Sequence, residues 1–480
     1  MNRRRIIPDK PPGNEQLIAY LRDILAERTD SFLSCPPEPP AIRVNTLKCA
    51  TDILRKKLDS WQVKYVPLFF NPDGFAIRHT PYPLSHKLEF FRGFFQMQGI
   101  ASQLPALVLN PKPGERVLDM AAAPGSKSTQ LAALMNNRGQ LYLNDINRGR
   151  LQALNANIQR SGALNQIITC LPGERLGNLF PAFFDKILLD APCTALGTLP
   201  GHPEVAAWWS YNKLAKLSAL QHRLLISAVK ALKVGGELVY STCSLAPQEN
   251  ETVIQQMLDT YPLRVLTIET VPAERFDPGR QSFGAVSYSR EMGKALRTDP
   301  LKHKTEGFFV VKLQKSATVF ESPVEKRMKF TATIPADDPV ISRDLQDLAQ
   351  HWGIKKSVFE HFRYIRTRNR LWMVQPEIEQ IPQTDFVSAG LLLAGKKLSG
   401  WRLTNQSLQV LDKNVSGRRV SLQRESFIQL FSEGRTKTDN LQSGYYALQW
   451  QDDAVAIIYV ENGIARIRLP HRFRIEESLD

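Results

Sequence analysis

The sequence predicts an α/β fold: a doubly wound, mainly parallel sheet, with a small α+β domain before it and a β-rich domain after it. Three observations predict this. Between residues 91 and 315, short apolar runs alternate with stretches of helical spacing. Four polar, small-residue motifs, "DMAAAPG", "NDIN", "DAPC" and "STCS", each fall at the end of such a run. From residue 386 onward, brief strand-like runs recur between Gly, Asn and Asp.

In chain order, residues 1–90 read as the small α+β domain. "EQLIAYLRDILAER" (15–28) has amphipathic helical spacing, and the Pro-rich "CPPEPPAIRVNTLK" breaks it. A helix-like stretch (51–60) and a strand-like one (61–69) follow. Over residues 91–315 the strand candidates are "ERVLDM", "GQLYLND", "QIITCL", "DKILLDA", "GELVYST" and "GFFVVKL". Helical stretches such as "SKSTQLAALMNN" and "RGRLQALNANIQRSG" lie between them, the alternation of a Rossmann-like sheet covered on both faces. Ligands of such sheets sit beyond the carboxyl ends of the strands, where all four motifs fall. Residues 316–385 read as a less regular connecting region. Residues 386–480 form the β-rich domain, with "GYYALQW", "AVAIIYVENG" and "IARIRLP" as strands. No internal repeat or low-complexity tract interrupts the chain. Its 480 residues suit about three domains.

A net charge of +15 and a pI near 9.6 imply a polyanionic partner, nucleic acid before membrane surface. Five cysteines, an odd number at irregular spacing, exclude a disulfide framework and suit reduced thiols in the cytoplasm. With no CxxC and few histidines, no metal site is expected. The charged start lacks an apolar stretch behind it, so it is not read as a signal peptide. No run of 18 apolar residues is present, so no transmembrane helix is expected.

"VLDMAAAPGSKS" (117–128) is a strand, a small-residue turn and a helix start. Its alanines and Gly125 let backbone approach a ligand, and the helix points amide hydrogens at it. It matches neither GxxxxGKS nor GxGxxG, so a ligand without phosphate is favoured. About twenty residues on, Asp145 ends the next strand, placed to accept hydrogen bonds from ribose hydroxyls. A nucleoside cofactor without phosphate on such a sheet points to S-adenosylmethionine.

Cys193 and Cys243 each follow a strand end. Carbon 5 of cytosine is a poor nucleophile until a thiolate adds to carbon 6 and an acid near ring nitrogen 3 takes up the charge. Asp190, three residues before Cys193, can hydrogen-bond the base or touch the cofactor amine. Position alone does not decide which thiol attacks. Cys35, Cys49 and Cys170 are read as ordinary packed thiols.

Together, "DMAAAPGSKS", "LNDINRGRLQALNANIQRSG", "LLDAPCTALGTLPGHPEV" and "LVYSTCSLAPQENETV" resemble the RNA 5-methylcytosine methyltransferases of the RsmB/RsmF/NSUN family. "IRVNTLK", "GFFQMQGIASQLPA" and "TEGFFVVKLQK" are similar to its flanking segments, so the resemblance spans about residues 40–315. The tail, ending "ENGIARIRLPHRF", resembles the PUA-related C-terminal domain of the RsmF-type branch.

The resemblance implies that Cys243 attacks carbon 6, that Cys193 helps release the methylated base, and that Asp190 contacts both base edge and cofactor. It implies a cofactor site of Ala121, Ala122, Ala123, Pro124, Gly125, Ser126, Lys127 and Asp145, braced by Arg150. The order of the thiols separates the chain from DNA cytosine methyltransferases, which attack with the proline-linked one. Three positions depart from the pattern. Pro172 stands at the pocket acid, with Glu174 close by; Thr194-Ala195 replaces Ser-Gly; and Pro200-Gly201 replaces a basic pair. The implied substrate is ribosomal RNA, with transfer RNA the nearest alternative, in a loop or flipped out so that carbon 6 is reachable. "RYIRTRNR", "SGRRV" and "ARIRLPHRFR" are candidate phosphate contacts, and a monomer is expected. The alternative class is an RNA-binding assembly factor with a decayed site.

Overall fold

The computed structural model describes residues 14–319, 327–397, 400–438 and 440–469. The basic "MNRRR" start and the "HRFR" portion of the tail lie outside the described residues.

A ten-stranded sheet forms the centre. Its parallel strands are β1 (Arg116–Asp119), β2 (Gln140–Asn144), β3 (Gln166–Thr169), β4 (Phe184–Asp190) and β5 (Leu232–Thr242). Two antiparallel strands, β6 (Leu296–Thr298) and β7 (Phe308–Lys315), extend it beyond β5. The order β3-β2-β1-β4-β5-β7-β6 places the switch point at β1, whose neighbours are β2 and β4. Residues alternate between the two faces of this sheet. Leu118, Tyr142, Ile167, Ile187, Leu189, Leu238 and Tyr240 enter one apolar cluster. Val117, Leu141, Leu143, Ile168, Leu188 and Val239 enter the other. Strands covered on both faces become continuous apolar runs, as these are.

Helix α1 (Ser126–Leu134) follows β1, and α2 (Arg148–Ser161) follows β2. The Asn147 side chain caps α2, accepting from the Gly149 amide at 2.9 Å, and Gly162, at φ +77°, ends it. The long α3 (Tyr211–Ala231) and α4 (Glu251–Thr260) flank β5 in sequence.

Before the sheet, strands Lys64–Leu68, Asn71–His79, Ala41–Val44 and Phe95–Met97 pair antiparallel in that spatial order. The first helix, Glu15–Leu25, packs elsewhere. Its Leu17, Tyr20, Leu21 and Ile24 bury against Leu196, Leu199, Trp209 and Leu245, on the segments that follow the two strand-end cysteines.

Residues 316–385, read from sequence as less regular, carry helix Pro339–Trp352 and strands Arg363–Arg366 and Arg370–Val374. Leu391–Lys397 and Gly400–Leu403 complete a five-stranded sheet with them and Ile334–Pro335. A last five-stranded sheet, built around Gly444–Trp450, Asp453–Glu461 and Ile464–Ile467, packs one face on helix Arg424–Glu433. Among the described residues, no helix is long and apolar enough to cross a membrane.

Candidate active site

The carboxyl ends of β1, β2, β4 and β5 converge on one place. Beyond β4 and β5 the two thiols face each other, Cys193 Sγ to Cys243 Sγ 3.4 Å, both free and both half-buried. The hydrogen bond to Cys243, together with burial, pushes the Cys193 thiol well above the usual range. The Cys193 thiol therefore holds its proton more tightly than a free cysteine.

Asp190 ends β4 beside them. Its Oδ1 accepts from the Ser241 hydroxyl at 2.7 Å, and its Oδ2 lies 2.8 Å from Lys127 Nζ. Lys127 also donates to Ser102 Oγ at 2.9 Å. Burial lowers the pKa of Lys127, but the Asp190 carboxylate outweighs it and the net shift is upward, so the ammonium keeps its proton.

At the end of β2, Asp145 is 3 % exposed. It accepts from the amides of Ala123 (3.2 Å) and Asn147 (2.9 Å) and lies 3.3 Å from Arg150 Nη1. Arg150 also bonds the Ala123 carbonyl, bracing the turn. Gly125, at φ +104°, leads the turn Ala121–Pro124 into Ser126 and the rest of α1 without a side-chain cap. Ile146, next to Asp145, is 64 % exposed, an apolar surface at the rim of the same turn. Beneath the turn, Asp119 is buried. Its Oδ2 accepts from Ser128 Oγ at 2.7 Å while Oδ1 has no partner, and burial raises its pKa to about 7.

These residues fit a nucleoside carrying a sulfonium. Asp145 suits hydroxyl groups, Ile146 suits a ring face, and the alanine turn permits close approach. The cations at the turn, Lys127 and Arg150, are each paired with a carboxylate, which disfavours a phosphate ligand. Lys127, Asp145, Asp190, Cys193 and Cys243 all stand at this end of the sheet. Glu174 is turned toward Arg223 of α3, 3.9 Å away, and Pro172 caps the short turn that carries it. Cys170, at the end of β3, donates to the Ile146 carbonyl at 3.6 Å. Cys49 is buried, and Cys35 is half-buried outside this group.

Sequence reading missed Glu249. Its fully buried carboxyl joins the segments after both thiols. Oε1 accepts from the Thr194 amide (2.8 Å) and Gln221 Nε2 (3.1 Å); Oε2 accepts from Ser244 Oγ (2.5 Å) and from the Thr194 hydroxyl. The acid in "APQENET" was visible, but only the fold brings residue 194 to it. Backbone adds to the clamp: the Gly197 amide donates to the Cys243 carbonyl, and the Gly307 amide to the Gly197 carbonyl, both at 2.9 Å. A Cβ at Gly197 would stand 1.8 Å from the Gly307 oxygen, so only glycine permits this approach.

The family model of 16S rRNA methyltransferase RsmB/F matches residues 106–314. Ribosomal RNA small subunit methyltransferase F of Photobacterium profundum is 31 % identical over 97 % of this chain and 98 % of its own. The chain belongs to the RsmB/F family of RNA methyltransferases. The Escherichia coli methyltransferase F (strain HS) is 33 % identical, over 80 % of this chain and 79 % of its own. Among solved structures, a methyltransferase homolog from Pyrococcus horikoshii is 37 % identical, with a TM-score of 0.58, over 63 % of this chain and 96 % of its own. NSun6 from the same organism, solved with SFG, is 26 % identical with a TM-score of 0.55. The Rossmann-like sheet is thus that of RsmB/F-type methyltransferases.

Proposed function

We propose that this chain transfers a methyl group from S-adenosylmethionine to carbon 5 of a cytosine in ribosomal RNA, through a covalent Cys243–cytosine intermediate. The observation that carries the reading is the pair of thiols 3.4 Å apart beside the Lys127–Asp190 pair. Relatives named for ribosomal RNA, and a neighbour holding SFG, an analogue of S-adenosylmethionine, support the substrate and the donor.

The cofactor supplies an electrophilic methyl group on sulfur. Ala121, Ala122, Ala123, Pro124, Gly125, Ser126 and Lys127 hold it from the turn, Asp145 accepts from its hydroxyls, and Arg150 fixes Asp145. Cys243, its thiol proton released to solvent, forms a bond from Sγ to carbon 6 of the base. The Lys127 ammonium, paired with Asp190, donates a hydrogen bond toward nitrogen 3 and stabilises the charge that develops there. Carbon 5 takes the methyl group, the donor sulfur would keep the bonding pair, and the carbon-5 proton then passes to solvent water. The bond from Cys243 to carbon 6 breaks, and the sulfur leaves with the bonding electrons. The Cys193 thiol, held protonated 3.4 Å away, donates a hydrogen bond to that departing thiolate. The C-terminal strands, similar to a PUA-related domain, bind the RNA, and the protein acts in the cytoplasm as a monomer.

Methyl transfer from labelled donor to small ribosomal subunits lacking the modification tests this. Transfer is expected from the parent and none from Cys243→Ala; an inactive parent would leave the assembly-factor reading. Cys193→Ala is expected to accumulate a protein–RNA adduct, a slow band on a denaturing gel, and its absence during turnover removes Cys193 from release. Asp145→Ala is expected to weaken cofactor binding by about 1–3 kcal/mol in calorimetry.

A further inference from the structure

A second cleft lies far along the chain, between the two C-terminal sheets. It encloses about 600 Å³ and is lined by Arg402, Asn405, Tyr445, Tyr459, Arg466 and Arg468, among others. The register explains the grouping. Tyr445 pairs with Tyr459 across one strand boundary, and Tyr459 pairs with Arg466 across the next. Cross-strand partners point to the same face, so these three form one lateral row. The tyrosine rings stand 4.8 Å apart at 46°. Arg402, from the neighbouring sheet, reaches over Tyr445 at 5.0 Å and donates to its hydroxyl at 3.3 Å. Apolar residues of this same sheet face, Ala447 and Ile457, pack into the core of the preceding unit, while the opposite face covers helix Arg424–Glu433.

The lining carries three arginines and no acid. Glu461 stands at the rim, 3.0 Å from Arg466, with both side chains half exposed. Such a surface pair contributes little and yields to a stronger anion. Two adjacent, mutually tilted aromatic rings with guanidinium groups beside them suit a nucleotide: a ring face receives a base, and the arginines receive the flanking phosphates. The volume fits one to two nucleotides, within the range of about 300–1,000 Å³ usual for ligand pockets.

We propose that this cleft binds a single-stranded segment of the RNA substrate, away from the reacting cytosine, with base stacking on Tyr445 and Tyr459 and phosphate held by Arg402, Arg466 and Arg468. The proposal rests on the reading of the chain as an RNA-modifying enzyme. A paired stem is excluded from the tyrosines because its bases already stack on one another.

The test uses the full chain and a fluorescent 12-nucleotide single-stranded RNA in anisotropy titrations across a salt series. Arg466 and Arg468 are exposed, so the double variant Arg466→Gln/Arg468→Gln leaves packing intact. It is expected to bind about tenfold more weakly, with a log–log salt slope shallower by about 1.4, the loss of two single-strand phosphate contacts. Tyr459→Leu is expected to weaken binding about fivefold or more without changing that slope. On ribosomal subunits the double variant should raise KM and leave kcat unchanged. Cys243→Ala should keep the parental affinity while losing transfer, which separates this site from the catalytic one. Unchanged affinity and slope in the double variant overturn the cleft alone; a parent that binds no RNA overturns both readings.

Discussion

Glu249 ties together Thr194 and Ser244, the residues that follow the two thiols. It takes four hydrogen bonds, from the amide and hydroxyl of Thr194, from Ser244 and from Gln221, with no solvent contact. Burial raises its pKa and these donors pull it back. Glu249→Ala strands the donors, at roughly 1–3 kcal/mol for each one left unpaired in the interior. Thermal unfolding should show the loss, and transfer should fall with it. Glu249→Gln, which can still accept from both segments, should recover part of the transfer. Equal activity in Ala and Gln variants would mean the carboxyl does not position the thiols. Asp119 gives a pH signature. Its pKa rises from an ordinary 3.8 to about 7 in the fold, chiefly by burial. Between those values the folded chain holds a proton that the unfolded chain has released, so stability falls as pH rises across this window. Asp119→Asn has no such proton. Denaturant titrations should show the parent losing on the order of 3–4 kcal/mol relative to this variant between pH 4 and pH 8. A constant difference across that range would contradict the assignment.

Among the elements, helix Glu15–Leu25 contributes to the site without touching a reacting atom. Its apolar stripe covers Leu196, Leu199 and Leu245, and Tyr20 donates to Gln248 Oε1 at 2.5 Å, one residue before Glu249. Leu21→Ala should lower stability by about 2–5 kcal/mol, as for other large-to-small changes in a core. Because the cavity opens under the cysteine segments, transfer should fall while cofactor affinity holds. Ala195 concerns the same segment. Its φ is +55° and ψ +28°, the left-handed region that favours glycine. An alanine there is strained by about 1–2 kcal/mol. Ala195→Gly should therefore raise thermal stability, read as an increase in Tm. Much of this region was legible beforehand. The apolar runs became β1 to β5, β7 and their helices because a strand buried on both faces must be apolar throughout. The strand-end motifs converge because the strands are parallel. The role of Glu249 was not legible, since its partners Thr194 and Gln221 sit 55 and 28 residues away in sequence. Helix Pro339–Trp352 carried its own signal in Ile341, Leu345, Leu348 and Trp352, all buried on one face. Charged residues between them masked the periodicity.

At the scale of the whole molecule, the C-terminal units complete the catalytic sheet. Strand Phe386–Ala389 pairs antiparallel with β3 and covers what would otherwise be its open edge. The seam is dense. Gln166 and Gln159 both donate to the Gly390 carbonyl, at 2.6 and 2.7 Å, and the Cys170 amide donates to the Asp385 carbonyl at 2.9 Å. Phe330 stacks on Phe183 with centroids 6.0 Å apart, and Leu164 is buried in the core of the following unit. Farther out, Arg92 pairs with Asp453 at 2.6 Å, so the first and last sheets are also tied. The Pyrococcus horikoshii homolog matches over 96 % of its own length but only 63 % of this chain, so a shorter protein carries the shared region there. In this chain that region leaves an apolar edge that the tail must cover. Ending the chain at residue 319 would expose Ile167, Ile168 and Leu164 along with the unpaired amides and carbonyls of β3, a template for another chain. Such a fragment should associate or precipitate, with sedimentation showing species larger than one chain. Ending it instead after residue 416 keeps both the edge strand and all five strands of its supporting sheet, and that fragment should stay dispersed to a greater degree. A dispersed 319-residue fragment with the parental Tm would mean that the tail contributes nothing to the sheet it completes.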